Sequence, residues 1–239
     1  MARLLVGLPA LQGALEKYQA RFDMVEIRPV DASLPRASTL RRWRKSVPPG
    51  FVFSVVLPRV VGELTAGPPL EEALATSLEA AAAVEARCIV LQTPASVRPT
   101  AANRKRLAAL FARIPPEGTV RCWEPLGMWE REDVLATARD LGVLPVFDAA
   151  REALAPGPIA YTRLRALGKS AALGAATVER VADRLRKRRE SFVVVEGAGD
   201  GQRVRAALLA ELAKSAPRKT VPMVVRPAIP TLIAEDEEQ

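Results

Sequence analysis

The chain has 239 residues, with 35 Lys and Arg against 27 Asp and Glu, a formal net charge of +8, no histidine and two cysteines. A hydrophobic share of 49% with 26% charged residues is that of a globular chain, not a disordered one, and the length suits one large domain or two small ones. Without histidine, Ser-His-Asp and Cys-His catalysis and imidazole metal sites are excluded, and two cysteines are too few for a thiolate zinc site.

Apolar or β-branched runs alternate with helical patterns along the whole chain. A strand is predicted over 3–7, followed by Leu11, Leu15, Tyr18 and Phe22 at helical spacing. A second strand over 24–28 precedes Leu40, Trp43 and Val47 on one helix face. The third, over 51–56, precedes Leu70, Leu74 and Leu78. The fourth, over 88–92, precedes Leu107, Leu110, Phe111 and Ile114. The fifth, over 119–123, precedes Val134, Leu135, Ala138 and Leu141. A sixth strand over 143–147 is followed only by a short helix within 149–154. Strand seven, over 159–163, leads to Val178, Val181 and Leu185, and strand eight, over 192–196, to Val204, Leu208 and Leu212. Eight strands, each followed by a helix at even spacing, predict an α/β protein of the (β/α)8 TIM-barrel type, with a doubly wound open sheet as the alternative.

The barrel is expected to be a single domain over residues 1–215, with 216–239 a C-terminal extension. There, 221–225 is expected to lie on the barrel and the acidic tip Glu235-Asp236-Glu237-Glu238 to be disordered. The apolar start of the chain is interrupted by Gly7, Pro9, Gln12 and Gly13, so it reads as a structural unit and not as a leader. No apolar run approaches the roughly 20 residues of a membrane span, and a cytoplasmic protein is expected. Cys88 and Cys122 lie in apolar runs and are expected to be buried free thiols.

Several segments carry a resemblance. Val25-Glu26-Ile27, Leu40-Arg41-Arg42-Trp43-Arg44, Pro49-Gly50-Phe51-Val52-Phe53-Ser54-Val55 and Pro58-Arg59 come in that order. Trp123-Glu124-Pro125, with Gly127 and Trp129, and then Tyr161-Thr162-Arg163-Leu164 follow. Together they are similar to the YecE-like family (domain of unknown function 72), from about residue 3 to about residue 215. The resemblance implies a TIM barrel and no established activity. The chain departs from the family pattern at Val56, in place of the usual Lys, and at Arg165, in place of the usual His. Leu126 stands where some members have Arg, and Glu196-Gly197 replaces the polar residues usual at the end of the last strand. A divergent member is implied, one that has lost part of any catalytic set the family carries.

Barrel ligands bind at the C-terminal ends of the strands, and alternation assigns faces. Val25 and Ile27 should face the helices, so Glu26 and Arg28 point inward. The same reasoning sends Gln92, Arg121, Trp123, Tyr161 and Arg163 inward and puts Glu124, Asp148, Arg165 and Glu196 at the rim. Arg59, in the Pro58-Arg59 pair, joins the ligand-binding set. Arginines in such number favour a small anion, because guanidinium matches carboxylate and phosphate in two-point contacts. Glu26 and Glu124 are the candidates for general acid or base. The structural alternative is that Glu26 pairs with Arg28 or Arg121 simply to close the core.

Gly168-Lys169-Ser170 and the glycine-rich 197–201 follow strands seven and eight, where many barrels bind phosphate, although the first lacks the upstream glycine of a P-loop. Glu26, Glu124, Asp148 and Glu196 could hold Mg²⁺ or Mn²⁺, but the neighbouring arginines repel a dication, so no metal site is assigned, nor any cofactor. Arg41 to Lys45 and Arg184 to Arg189 are basic enough for nucleic acid, but as solvated helix faces they give only an alternative: a scaffold or nucleic-acid-associated protein. Oligomeric state is not legible.

Overall fold

The computed structural model describes residues 3–29, 34–165, 173–196 and 201–214. The loop Gly168-Lys169-Ser170, residues 197–200, the run 221–225 and the acidic tip lie outside the described residues. The elements run β1 (Arg3–Leu8), α1 (Leu15–Gln19), β2 (Met24–Ile27), α2 (Ala37–Ser46), β3 (Val52–Val56), α3 (Arg59–Gly62), α4 (Pro68–Ala83) and β4 (Cys88–Thr93). Then come α5 (Ala101–Phe111), β5 (Val120–Pro125), α6 (Arg131–Leu141), β6 (Leu144–Pro145), β7 (Ile159–Arg165), α7 (Ala175–Leu185), β8 (Glu190–Glu196) and α8 (Gly201–Lys214).

The strands form one parallel sheet in the order β6-β5-β4-β3-β2-β1-β8-β7. A single bridge between Phe147 and Thr162 brings the two ends together, so the barrel is nearly closed. Period-two alternation divides the apolar residues into two layers. Met24, Val52, Cys88, Val90, Cys122 and Phe192 fill the inside of the barrel. Val25, Phe53, Leu91, Trp123, Leu164 and Val195 face outward against the helices, which contribute Leu40, Leu74, Leu107, Val134, Val181 and Leu208. Both cysteines are free and buried, and burial followed by the adjacent Cys122 pushes the Cys88 thiol up.

The N-terminal mouth is sealed by charge. Glu190 is buried there and accepts from Arg3 at 3.0 Å and Arg87 at 3.2 Å. The buried Tyr18 hydroxyl ties the first two strands, accepting from Leu8 N–H at 2.8 Å and donating to Met24 O at 2.9 Å. Two helix ends carry ordinary caps: Thr100 caps α5 through Asn103 N–H, and Gly142 ends α6 in the left-handed region at φ 61°.

The sixth unit departs from expectation. Residues 149–154 make turns, not a helix. The Asp148 side chain accepts Ala150 N–H at 2.9 Å and its carbonyl accepts Arg151 and Glu152 N–H, an N-cap that opens a single turn which does not continue as a helix. Pro156 and Pro158 follow closely and leave no room for further turns. A short helix, α3, stands after β3 where none was predicted, and it carries Arg59.

Gly7 marks the tightest approach between β1 and β2, since a Cβ there would lie 2.0 Å from Met24 O. Gly7→Ala is therefore expected to lower stability by roughly 1–3 kcal/mol or more through overpacking. Gly50→Ala, whose Cβ meets nothing within 4 Å, should leave the melting temperature nearly unchanged. Thermal unfolding of both variants checks this, and equal melting temperatures would contradict it.

Candidate functional site

Glu26 is inward on β2 because Val25 and Ile27 belong to the outer layer. Tyr161 belongs to the inner layer, so Arg163 and Arg165, two and four residues on, rise along the same face of β7. Cys122 is likewise inward, which sends Glu124 inward on β5. Arg28 follows β2 and Glu196 ends β8. These six charged side chains meet above the inner apolar layer, at the C-terminal mouth.

Arg163 is the hub, with 1% of its surface exposed. Its Nε donates to Glu124 Oε2 at 2.6 Å, and Nη1 donates to Glu26 Oε2 at 2.6 Å and Glu196 Oε1 at 3.3 Å. Nη2 stands 2.6 Å from Glu26 Oε1 but off the line of a hydrogen bond, and finds no other partner among the described residues. The Tyr161 hydroxyl donates to Glu26 Oε1 and shares a 3.0 Å bond with Ser54. Arg28 donates to Glu26 Oε2 at 3.0 Å and Glu196 Oε1 at 3.1 Å. Arg165 donates to Glu124 Oε1 and, at 3.2 Å, to Glu196 Oε2. Gln92 adds a 2.7 Å bond from its amide to Glu124 Oε2.

Three guanidiniums thus alternate with three carboxylates, and the cluster is neutral by count. Burial draws the Arg163 guanidinium down, but Glu26, Tyr161 and Glu124 outweigh it and hold its pKa well above the ordinary value. Burial and the neighbouring Glu26 push the Tyr161 hydroxyl well up, which keeps it a donor. For Glu196, burial pushes upward, yet Arg163, Arg165 and Arg28 together hold the carboxyl below its ordinary value.

Exposure separates a floor from a ring. The Glu26, Glu124 and Arg163 side chains are 0%, 4% and 1% exposed. Arg28, Glu196 and Arg165 reach solvent at 30%, 26% and 37%. Two cavities border the ring. One of about 630 Å³ lies over the ends of β2 to β5, lined by Arg28, Val56, Arg59, Val60, Gln92 and Leu126. The other, about 270 Å³, lies over β5 to β7 and is lined by Glu124, Arg131, Asp148, Arg163 and Arg165.

Most of the predicted set gathers here, with exceptions. Arg121 and Trp123 do not point inward. Arg121 donates outward to Phe111 O at 3.1 Å and Gly142 O at 3.2 Å, where α5 and α6 end. Trp123 packs edge-on to Trp129 at 4.8 Å between centroids and donates to Thr93 Oγ1 at 3.1 Å. The reason is phase: Cys122 and Glu124 hold the inward positions of β5, so their neighbours face the helices. Glu26 accordingly pairs with Arg28 and Arg163, not with Arg121. Arg59 stands apart on α3, its largely exposed side chain bound to Glu63 at 3.0 Å. Asp148 is buried and accepts Arg165 N–H at 3.3 Å. Ser54 was not singled out from sequence, although alternation within 51–56 puts it on the face of Val52 and Val56.

Some arginines of the basic segments are occupied within the chain, while Arg41, Arg42 and Lys45 are exposed. Arg44 donates to Phe51 O and Pro48 O, with its guanidinium 5.4 Å above the Phe53 ring. Arg184 donates to Ala149 O at 2.6 Å and Arg188 to Gly157 O. Among the described residues no group of three or more Cys, Asp or Glu stands in a metal-holding arrangement, and no helix is long and apolar enough to cross a membrane.

Comparison with known proteins adds the following. The family model described as "Protein of unknown function DUF72" matches residues 6–227, the same family that the motif order resembles. No curated protein matches the chain. Among solved structures, a DUF72 family protein from Enterococcus faecalis V583 superposes with TM-score 0.67 at 16% identity, covering 89% of this chain and 96% of that one. Another from Thermotoga maritima MSB8 gives 0.61 at 17%, covering 89% and 98%. An L-ribulose 3-epimerase gives 0.58 at 15%, covering 92% and 100%, a likeness of fold.

Arg163→Met leaves two fully buried carboxylates short of their main partner and is expected to cost about 3–5 kcal/mol, several times the effect of losing an exposed ion pair. Denaturant unfolding measures this, and a loss under about 1 kcal/mol would contradict the hub. The depressed pKa of Glu196 gives stability that is fully present above the ordinary carboxyl value of 4.5 and is lost as pH falls through the folded value. The stability gap between wild type and Glu196→Gln should therefore shrink on acidification below that value; a gap independent of pH would contradict the pairing.

Proposed function

The chain belongs to the DUF72 family, and from that premise we propose that it binds a small anionic molecule at the C-terminal rim of the barrel. The observation that carries the reading is the cavity of about 630 Å³ whose lining includes two arginines, Arg28 and Arg59. Its size is that of small-molecule sites, and it opens at the barrel end where ligands of this fold bind. Both side chains have accessible surface, and the exposed Arg59–Glu63 pair is weak enough to yield to a ligand. The Gln92 amide borders the same space beside apolar walls from Val56, Val60 and Leu126.

In this reading Glu26 and Glu124 orient the arginines. A general acid or base has to reach the proton it moves, and these two carboxylates are enclosed and already bound by Arg28, Arg163, Arg165, Gln92 and Tyr161. The reading is accordingly one of binding. Nucleic-acid association through the basic faces has less support, because Arg44, Arg184 and Arg188 donate to backbone carbonyls of their own chain.

A thermal-shift panel of acetate, benzoate, inorganic phosphate and short DNA and RNA tests this. A ligand at ~100 times its Kd adds about 2.7 kcal/mol, a rise of roughly 5–10 °C for a domain of this size. Arg59→Ala should keep the unliganded melting temperature and lose most of the rise. An undiminished rise in Arg59→Ala and Arg28→Ala, or a response to nucleic acid alone, would overturn the reading.

A further inference from the structure

Glu196 differs from the other two carboxylates of the cluster. It is the last residue of β8, it keeps a quarter of its side chain in solvent, and three arginines converge on it. Oε1 accepts from Arg28 at 3.1 Å and Arg163 at 3.3 Å, and Oε2 accepts from Arg165 at 3.2 Å. Arg28 borders the larger cavity, while Arg163 and Arg165 border the smaller one. Glu196 therefore binds the arginines that line both spaces.

We propose that Glu196 is an internal stand-in for the ligand, and that the three-arginine slot it fills is a site for a monocarboxylate. The inference rests on the rim-binding reading above and names its ligand class. Charge supports the class: Glu26 and Glu124 neutralise two of the three guanidiniums from below, so one further negative charge completes the set. A carboxylate supplies that charge, whereas a phosphate dianion would leave the cluster negative. Geometry agrees, since the acceptor already seated is planar with two oxygens, the shape that guanidinium groups match best. The displaced Glu196 turns toward the solvent it already touches. The body of the incoming acid lies along Val56, Val60 and Leu126, and Leu126 is exposed at the cavity edge. While Glu196 fills the slot, apparent affinity is reduced by the fraction of molecules in which the slot is open.

The test is isothermal titration of the full chain with benzoate, acetate and inorganic phosphate at constant ionic strength. Wild type is compared with Glu196→Ala and with Glu196→Gln, which keeps the side-chain volume should the alanine variant not fold. The benzoate Kd is expected to fall about tenfold or more in the variants, with a smaller gain for phosphate. An unchanged or weaker benzoate Kd overturns the proposal, and so does a larger gain for phosphate. If wild type binds benzoate through Arg59 and the Glu196 variants bind it equally, this inference falls alone. If benzoate binds only the variants, the slot does not open in the native protein, and the inference falls with the reading of the native rim as a ligand site. If nothing binds any form, both fall.

Discussion

A single guanidinium inside the barrel organises the upper half of this protein. Arg163 is almost wholly removed from water, and isolated buried charge is costly enough that it persists only when fully paired. Glu26 from β2, Glu124 from β5 and Glu196 from β8 provide that pairing, so strands far apart in the chain are bound to one side chain on β7. In such a knot each member is tolerated because of the others. Tyr161 and Ser54 extend the network downward, and Arg28 and Arg165 extend it outward to solvent.

The same balance shapes the rest of the barrel interior. Its middle is apolar, with Met24, Cys88, Val90, Cys122 and Phe192, and both mouths are charged. At the lower mouth Glu190 is held by Arg3 and Arg87 as a plain seal. At the upper mouth the charges stand in two tiers, an enclosed floor and an accessible ring beside two cavities. That asymmetry is why the upper mouth reads as a working surface. The weak point of the wall is β6, only two residues long, and side chains compensate: Asp148 organises the turn that replaces a helix, and Arg184 reaches from α7 to Ala149 O.

Much of this was legible in the chain. Eight apolar runs at even spacing gave the barrel, because strand and helix periodicities are local. Inward Glu26, Gln92, Tyr161 and Arg163 followed from alternation, most plainly for Glu26 between Val25 and Ile27. On β5 the same argument failed by one residue. Arg121 and Trp123 look like a polar and an aromatic lining pair, yet the narrow interior takes the small Cys122 and leaves the large indole to the helix layer. Which arginine pairs with which glutamate is decided by tertiary distance, so Arg163 could not be recognised as the hub. The missing sixth helix is a single turn capped by Asp148 that ends before Pro156 and Pro158, a length that helical periodicity does not report.

In the proposed function the exposed rim arginines, and not the basic helix faces, meet an anion. The most direct measurement is the arginine side-chain N–H spectrum of the labelled protein during titration with a carboxylate. Arg28, Arg59 and Arg165 should shift together and saturably, while Arg121, bound behind the sheet, stays still. Shifts confined to Arg41, Arg42 and the other basic helix-face arginines, with the rim signals unmoved, would contradict it.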